Sequence, residues 1–510
     1  MKKLLLLTLI TFVAGQFASL AQVPPTPVSE KDLGKEVDAY IRKTMEAIPE
    51  IPSVAVVVVK GDKPIFMQAY GVANKETGAK PNANTLYYIA SSTKSYMALA
   101  AAMLDREGKI KLSDPITKYA PGITFKNAIP DKVTVRDLLT HTSGLRNDPL
   151  TWRVAYSGEA DDKDMLHVFA VATSFDEKAY GKYAYTNLGY NIYALLVKLT
   201  LGKNWQDVLQ EKVFGPIGLK QTSSYVSKMR AAKLLLADSY LYDPATATVI
   251  RSPIDKQDNN MQSAGGIMTS LNDLASWLIV NMNEGRIGGK QAIPADVMQV
   301  VHTGYTDTSR NQPPFTGNGK YGLGWQIGTY KNQNVVYHFG GYPGWAAHIS
   351  YMPDKKIGVA VVANESTAGG RIVHQLAAFV YDRLLGTDTV ENYLKQLQDL
   401  SQQYGQMKEQ MAADVKNRAS RVSKLTHPLT DYVGHYHSDL LGNIDISVEQ
   451  NSLAIRMGYL HVVSTPFTEK DAIRVEMIPG QGEVIRFGTN SDGKIDSLTY
   501  SGLRFSRIAH

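Results

Sequence analysis

A serine and a lysine three residues apart, Ser91 and Lys94, open the apolar, Ala-rich run from Tyr96 to Leu104. A hydroxyl is a poor nucleophile at neutral pH. A helix returns residue i+3 to the face of residue i, so the Lys94 amine can help remove the Ser91 proton. The spacing alone decides nothing, because Ser491-Asp492-Gly493-Lys494 shares it; there the Asp-Gly centre reads as a turn between strands. Only the first copy starts a helix, whose free N–H groups and positive dipole end favour negative charge developing on a nucleophile.

Acyl transfer also needs a base, an acid for the leaving group and donors for an oxyanion. Tyr185-Thr186-Asn187 and His338-Phe339-Gly340 are candidates that only folding can bring to Ser91. Unperturbed, tyrosine titrates near pH ~10 and lysine near ~10.4, so neither alone is a base at neutrality. A buried ammonium at Lys94 beside the Tyr185 hydroxyl favours the phenolate, and the two can share a proton. Asn187 carries a donor and an acceptor in one amide and suits holding Lys94 and a substrate carbonyl at once. His141, among Thr and Ser neighbours, reads as a loop-ordering hydrogen-bond former. His435 and His437 read as a strand pair rather than metal ligands, since no Cys, His or acidic cluster surrounds them.

The elements that must position these residues follow from periodicity. Ser29 can cap a helix through about Ala47, with Leu33, Val37, Tyr40, Ile41 and Met45 on one face. Ile51 to Val59 and Ile65 to Tyr70 read as a hairpin. Mixed helix and loop follow from Ala73 to about Gln333, and strands return at Val335 to Phe339, Ala346 to Met352 and Gly358 to Asn364. Two early and three late strands suggest one antiparallel sheet closed by distant parts of the chain. Val390 to Val415 forms an amphipathic helix, with Gly405 as a candidate break. Beyond Pro428, short β-rich runs at Asp431 to His437, Ile444 to Val448, Ser452 to Arg456, Val484 to Phe487 and Ile495 to Tyr500 indicate a small all-β domain. The expected division is a signal peptide at 1–21, a Pro-rich tether at 22–29, a catalytic domain at 30–386, a helical linker at 387–427 and a β domain at 428–510.

Taken together, Ser91 with Lys94, Tyr185 with Asn187, and His338 to Gly340 resemble the three-part pattern of the serine β-lactamase and penicillin-binding protein superfamily, in its class C β-lactamase-like branch, serine peptidase family S12. Leu138 to Leu145, Ser263-Ala264-Gly265-Gly266, Tyr321-Gly322-Leu323-Gly324-Trp325 and Gly341 to Gly344 support the resemblance, which covers about Glu30 to Gly386. It implies an α/β (α+β) fold with an antiparallel sheet flanked by helices. It also implies Ser91 as nucleophile, Tyr185 and Lys94 together as base and later acid, and an oxyanion hole from the backbone N–H groups of Ser91 and Gly341. Gly340 and Gly341 would let substrate lie against the strand edge. The C-terminal segment resembles a lipocalin-like β-barrel. Where many relatives have Lys-Thr-Gly, this chain has His338, a weaker cation at neutral pH, and Phe339, which lacks a hydroxyl; the expectation is a preference for substrates without a free carboxylate.

The balance of 54 basic and 48 acidic residues contains no basic block, so no nucleic-acid partner is expected. Lys2 and Lys3, the apolar run Leu4 to Val13, and Ser19 and Ala21 have the layout of a secretory signal peptide, which predicts a periplasmic or secreted protein with no membrane span after cleavage. The absence of cysteine excludes a Cys nucleophile, disulfides and thiolate zinc sites. The chemistry requires no cofactor and no metal. The expected substrate is an amide or ester: a D-amino-acid peptide, a peptidoglycan-derived cell-wall fragment or a small ester. A β-lactamase or DD-carboxypeptidase proper is the alternative within the class, and a catalytically silent peptide- or glycan-binding protein the alternative outside it. Gly-x-Ser-x-Gly, the signature of an α/β-hydrolase, is absent.

Overall fold

A computed structural model describes residues 25–158, 161–308, 314–315 and 319–508. The expected signal peptide lies outside these residues. Helix α1 (Glu30–Ala47) begins where the Ser29 hydroxyl accepts from the Asp32 N–H at 3.2 Å, and it buries Leu33, Val37, Tyr40 and Ile41. It leads into strands β1 (Ser53–Lys60) and β2 (Lys63–Gly71). Helices α2 (Thr93–Arg106), α3 (Leu188–Leu201) and α4 (Leu271–Met282) belong to the long helical insertion. Strands β3 (Thr306–Thr308), β4 (Gly319–Tyr321), β5 (Gln326–Tyr330), β6 (Gln333–Tyr342), β7 (Trp345–Met352) and β8 (Ile357–Ala363) then return.

These eight strands form one antiparallel sheet in the order β3-β4-β5-β6-β7-β8-β1-β2. The early hairpin joins the late strands through β1 and β8, with Val54 opposite Ala363 and Lys60 opposite Ile357. The Val-rich sequence of β1 follows from this central place, because a strand covered on both faces must be apolar at every position. Ala55, Val57 and Val59 enter the core on the α2 and α4 side, and Val54, Val56 and Val58 enter the core beneath α1. Three strands, β3 to β5, exceed the expectation from sequence. They are short and carry Gly, Lys, Asp and Thr, so they give little β signal.

Helix α5 (Gly369–Leu385) packs on the far face with α1. Helix α6 (Val390–Ala419) runs unbroken through Gly405, contrary to the candidate break: its buried Tyr393, Leu397 and Tyr404 hold it along α1 and α5, with Tyr393 Oη donating to Asp382 at 2.6 Å. An interior glycine costs only about 1 kcal/mol, which such packing exceeds.

The C-terminal strands are β9 (Gly434–Ser438), β10 (Gly442–Glu449), β11 (Ser452–Met457), β12 (Leu460–Val463), β13 (Thr465–Pro466), β14 (Ala472–Ile478), β15 (Gln481–Thr489), β16 (Ile495–Tyr500) and β17 (Leu503–Ile508). Their order, β12-β11-β10-β9-β17-β16-β15-β14-β13, rolls up until β12 approaches β14, giving a nearly closed barrel. Leu429–Tyr432 is a helical turn, so the first strand starts at Gly434 rather than Asp431. His435 and His437 face Asp445 and Asn443 across the β9–β10 ladder at 2.6 and 2.7 Å. Ser491-Asp492-Gly493-Lys494 lies in the turn between β15 and β16, where Gly493 has φ +75°.

The barrel seats on the helical turns at 148–157. Trp152 meets Tyr500 edge-on at 5.9 Å, and Tyr459, at the tip of the β11–β12 hairpin, lies so close over Gly158 that a Cβ there would sit 1.7 Å from its ring. No helix among the described residues is long and apolar enough to cross a membrane.

Candidate active site

Ser91 lies in a 3₁₀ turn, Ala90–Ser92, that runs directly into α2. Ala90 holds a left-handed φ of +43°, a conformation that a β-carbon disfavours and that packing must impose. The constraint is visible on both sides. Ser92 Oγ donates to the His338 carbonyl of β6 at 3.0 Å, and a Cβ on Gly340 would meet the Ile89 carbonyl oxygen at 2.0 Å. The nucleophile turn and β6 are therefore in backbone contact, and only glycine fits at 340. Gly341, one residue on, is exposed, with nothing within 4 Å of where its Cβ would be.

Lys94 is fully buried, and its ammonium bridges the motifs. It donates to Asn187 Oδ1 at 2.7 Å, to the Ala264 carbonyl at 2.8 Å and to Ser91 Oγ at 3.4 Å. It also lies 5.0 Å from the centre of the Tyr185 ring and 5.5 Å from that of Tyr190. The loop supplying the Ala264 carbonyl is tied to the same helix, since the Ile267 N–H donates to Thr93 Oγ1 at 3.1 Å. Gly324 is confined in the same way: it has φ +71°, and a Cβ would stand 2.4 Å from the Lys94 carbonyl oxygen.

Behind Tyr185 runs a chain of hydrogen bonds. The Thr186 N–H donates to His141 Nδ1 at 3.3 Å, so the His141 proton is assigned to Nε2, which reaches Tyr321 Oη at 3.1 Å. His338 Nδ1 faces the Phe339 carbonyl at 2.9 Å and must be its donor, while His338 Nε2 meets the Tyr321 hydroxyl at 3.1 Å. Burial pushes the Tyr190 and Tyr321 hydroxyls well above their ordinary titration range, so both stay protonated. Tyr185 is only half-buried, with its ring 4.5 Å from that of His141 and 6.2 Å from that of His338.

A family model, Beta-lactamase, matches residues 38–381. The chain belongs to the beta-lactamase family. An unguisins hydrolase of Aspergillus violaceofuscus, ungD, is 25% identical over 484 residues, covering 86% of this chain and 81% of that protein. Protein flp of Staphylococcus aureus (strain NCTC 8325 / PS 47) is 23% identical over 338 residues, or 65% of this chain; the match spans 63% of flp. The solved structure of the octameric penicillin-binding protein homologue from Pyrococcus abyssi has a TM-score of 0.59 at 21% identity, covering 93% of this chain and 99% of that one, a likeness of fold.

Within this beta-lactamase family domain, the structure brings Ser91, Lys94 and Asn187 into one hydrogen-bonded cluster, with Tyr185 over Lys94 and Gly340 against the nucleophile turn. His338 is buried, with both ring nitrogens engaged. Strand alternation turns Phe339 to the opposite face, where it stacks at 4.6 Å on His348, so a hydroxyl at 339 would point away from Ser91. Sequence reasoning did not single out two participants. One is the Ala264 carbonyl, a backbone group that no residue type announces. The other is the Tyr321 hydroxyl, whose signal lay in the Tyr-Gly-Leu-Gly-Trp segment. A hydroxyl, an ammonium and a phenol so arranged can pass a proton from Ser91 as it attacks and return one to a leaving group.

Proposed function

We propose that this member of the beta-lactamase family is an exported serine hydrolase of the S12 type that works through an acyl-enzyme at Ser91. The observation supporting it most is the buried Lys94 ammonium, with bonds to Ser91 Oγ, Asn187 Oδ1 and the Ala264 carbonyl. An ammonium desolvated in this way favours negative charge beside it, on Ser91 Oγ or the Tyr185 phenolate. In acylation the Tyr185–Lys94 pair takes the Ser91 proton, Oγ adds to the substrate carbonyl, and the N–H groups of Ser91 and Gly341 receive the oxyanion. The intermediate collapses by expelling the amine or alcohol, which takes the proton back from Tyr185. Water activated by the same pair then releases the acid and frees Ser91.

The substrate class is an amide or ester: a D-amino-acid peptide, a cell-wall fragment or a small ester. A buried histidine at 338, its ring nitrogens turned to Tyr321 and the Phe339 carbonyl, favours substrates without a carboxylate at that strand over those of a DD-carboxypeptidase or β-lactamase proper. The deciding experiment treats the mature protein with a fluorophosphonate probe and maps the adduct by mass spectrometry. Labelling at Ser91 that is lost in Ser91→Ala is expected; an adduct elsewhere, or labelling that survives the substitution, overturns the reading. Turnover of a panel of D-aminoacyl amides, D-Ala-D-Ala peptides, p-nitrophenyl esters and a chromogenic cephalosporin then ranks the substrates.

A further inference from the structure

Asn187 is at once a partner of Lys94 and part of the wall of a cavity of about 550 Å³ that it shares with the barrel residues Leu441, Ser501 and Leu503. The apolar part of that wall comes from both domains: Trp152, Ala155 and Tyr156 from the helical turns beside α3, and Leu441 and Leu503 from the barrel. We propose that this interdomain cavity receives the acyl group of the substrate, and that it selects acyl groups bearing an aromatic or branched aliphatic side chain. The inference rests on the Ser91 hydrolase reading and extends it to substrate choice.

Three observations carry it. The first is the flank. Tyr185 does not line this cavity but the adjoining one of about 360 Å³, with Thr186, His141 and Ser143, the two sharing Asp148 and Thr151. The group that protonates the leaving atom must face the leaving group, so the leaving side belongs with Tyr185 and the acyl side with Asn187. The second is charge. Among the described residues, no lysine, arginine or histidine lines the interdomain cavity, and its one carboxylate wall residue, Asp148, is exposed and repels a carboxylate. Its size and mostly apolar wall are those of a small-molecule site that buries an uncharged group. The third is rigidity. The barrel face is fixed against the catalytic domain by Tyr459 over Gly158 and by Tyr500 against Trp152, so Leu441 and Leu503 stand at set positions.

The barrel thereby acts as a specificity wall, and Leu503 is the residue to alter, being half-buried in the short β17 that follows the exposed turn at Ser501 and Gly502. The experiment measures kcat/KM of the full chain for p-nitrophenyl acetate, phenylacetate and 4-biphenylacetate, which share a leaving group and have comparable intrinsic reactivity. The wild type should prefer phenylacetyl over acetyl by about tenfold or more. Leu503→Trp, which fills the cavity, should lower that ratio about tenfold, and Leu503→Ala should raise the biphenylacetyl to phenylacetyl ratio. Shifts of opposite direction cannot come from misfolding. Equal wild-type rates for acetyl and phenylacetyl, or ratios unmoved by both substitutions, would refute the cavity's role while fluorophosphonate labelling at Ser91 still upheld the hydrolase. Failure to label Ser91 would overturn both.

Discussion

Gly340→Ala tests whether the contact between the nucleophile turn and β6 sets the catalytic geometry. The new Cβ would stand 2.0 Å from the Ile89 carbonyl oxygen and 2.9 Å from its carbon, and contacts under 3.0 Å are essentially never found, so the two backbones must part by about 1 Å. No side-chain rotation relieves the clash, because both partners are main chain. The Ser92 Oγ bond to the His338 carbonyl, 3.0 Å long, spans the same junction and would stretch or break. Overpacking of this kind costs about 1–3 kcal/mol, or roughly 2–6 °C in melting temperature for a domain of this size. A displacement of about 1 Å between Ser91 and the Gly341 N–H should also slow acylation about a hundredfold. Gly341→Ala is the control for stability, since its Cβ meets nothing within 4 Å, and its melting temperature should match the wild type. Thermal unfolding and the rate of fluorophosphonate labelling read the two effects separately. A Gly340→Ala protein that melts and acylates like the wild type would show that the strand does not hold the nucleophile turn.

Lys94→Ala and Tyr185→Phe should each reduce acylation by about a thousandfold or more, with the double variant little worse than either; additive losses would show that they do not act as a unit. Tyr321→Phe removes the hydroxyl between His141 Nε2 and His338 Nε2 and should destabilise the fold by about 1–3 kcal/mol, read by denaturant unfolding; an unchanged midpoint would refute the assigned chain. His338→Lys should raise the ratio of carboxylated to neutral ester turnover about tenfold, and an unchanged ratio would refute the reading of that strand. Burial depresses the Lys256 amine from 10.5 to about 7, against a small opposing effect of Asp258. Below pH ~7 the amine is charged in both states and the fold bears the desolvation cost in full; from there to pH ~10.5 the unfolded chain holds a proton the native one has lost, so stability rises with pH. Lys256→Met should therefore stabilise most near pH 6, by at most about 5 kcal/mol, with the gain shrinking towards pH 10. A gain independent of pH would refute the buried neutral amine.

The parts of the site carried by distinctive side chains at fixed spacing were legible in the sequence: Lys94, in the first turn of α2, reaches back to Ser91 in the turn before it, and Asn187 offers the oxygen that Lys94 binds. What remained hidden depends on main chain or on tertiary placement. The Ala264 carbonyl could belong to any residue, and the conformation of Ala90 depends on contacts from outside the turn, with Gly340 and the His338 carbonyl of β6. The opposite facing of His338 and Phe339 follows from strand periodicity once β6 is recognised, and its neglect gave Phe339 a bearing on substrate that its place in the far core does not support. The central sheet was legible where its strands are long and Val-rich, as in β1 and β8. Strands β4 and β17, with exposed Lys320, Arg504 and Arg507, read as loop because tertiary pairing outweighs their propensity.

The pairing of β1 with β8 has a consequence for biosynthesis. Val54 and Ala363 are neighbours in space but about 300 residues apart in the chain. At a translation rate of about 5–20 residues per second, β1 waits on the order of 15–60 s after its own synthesis before its partner exists. Until then one edge of the Ser53–Lys60 segment, four consecutive valines included, is an unpaired apolar strand that can add to another nascent chain. The catalytic half of this protein therefore cannot complete its sheet strand by strand as it emerges. A chaperone that holds the hairpin at residues 53–71, or delivery of the chain still unfolded to another compartment, would protect that edge until β8 arrives.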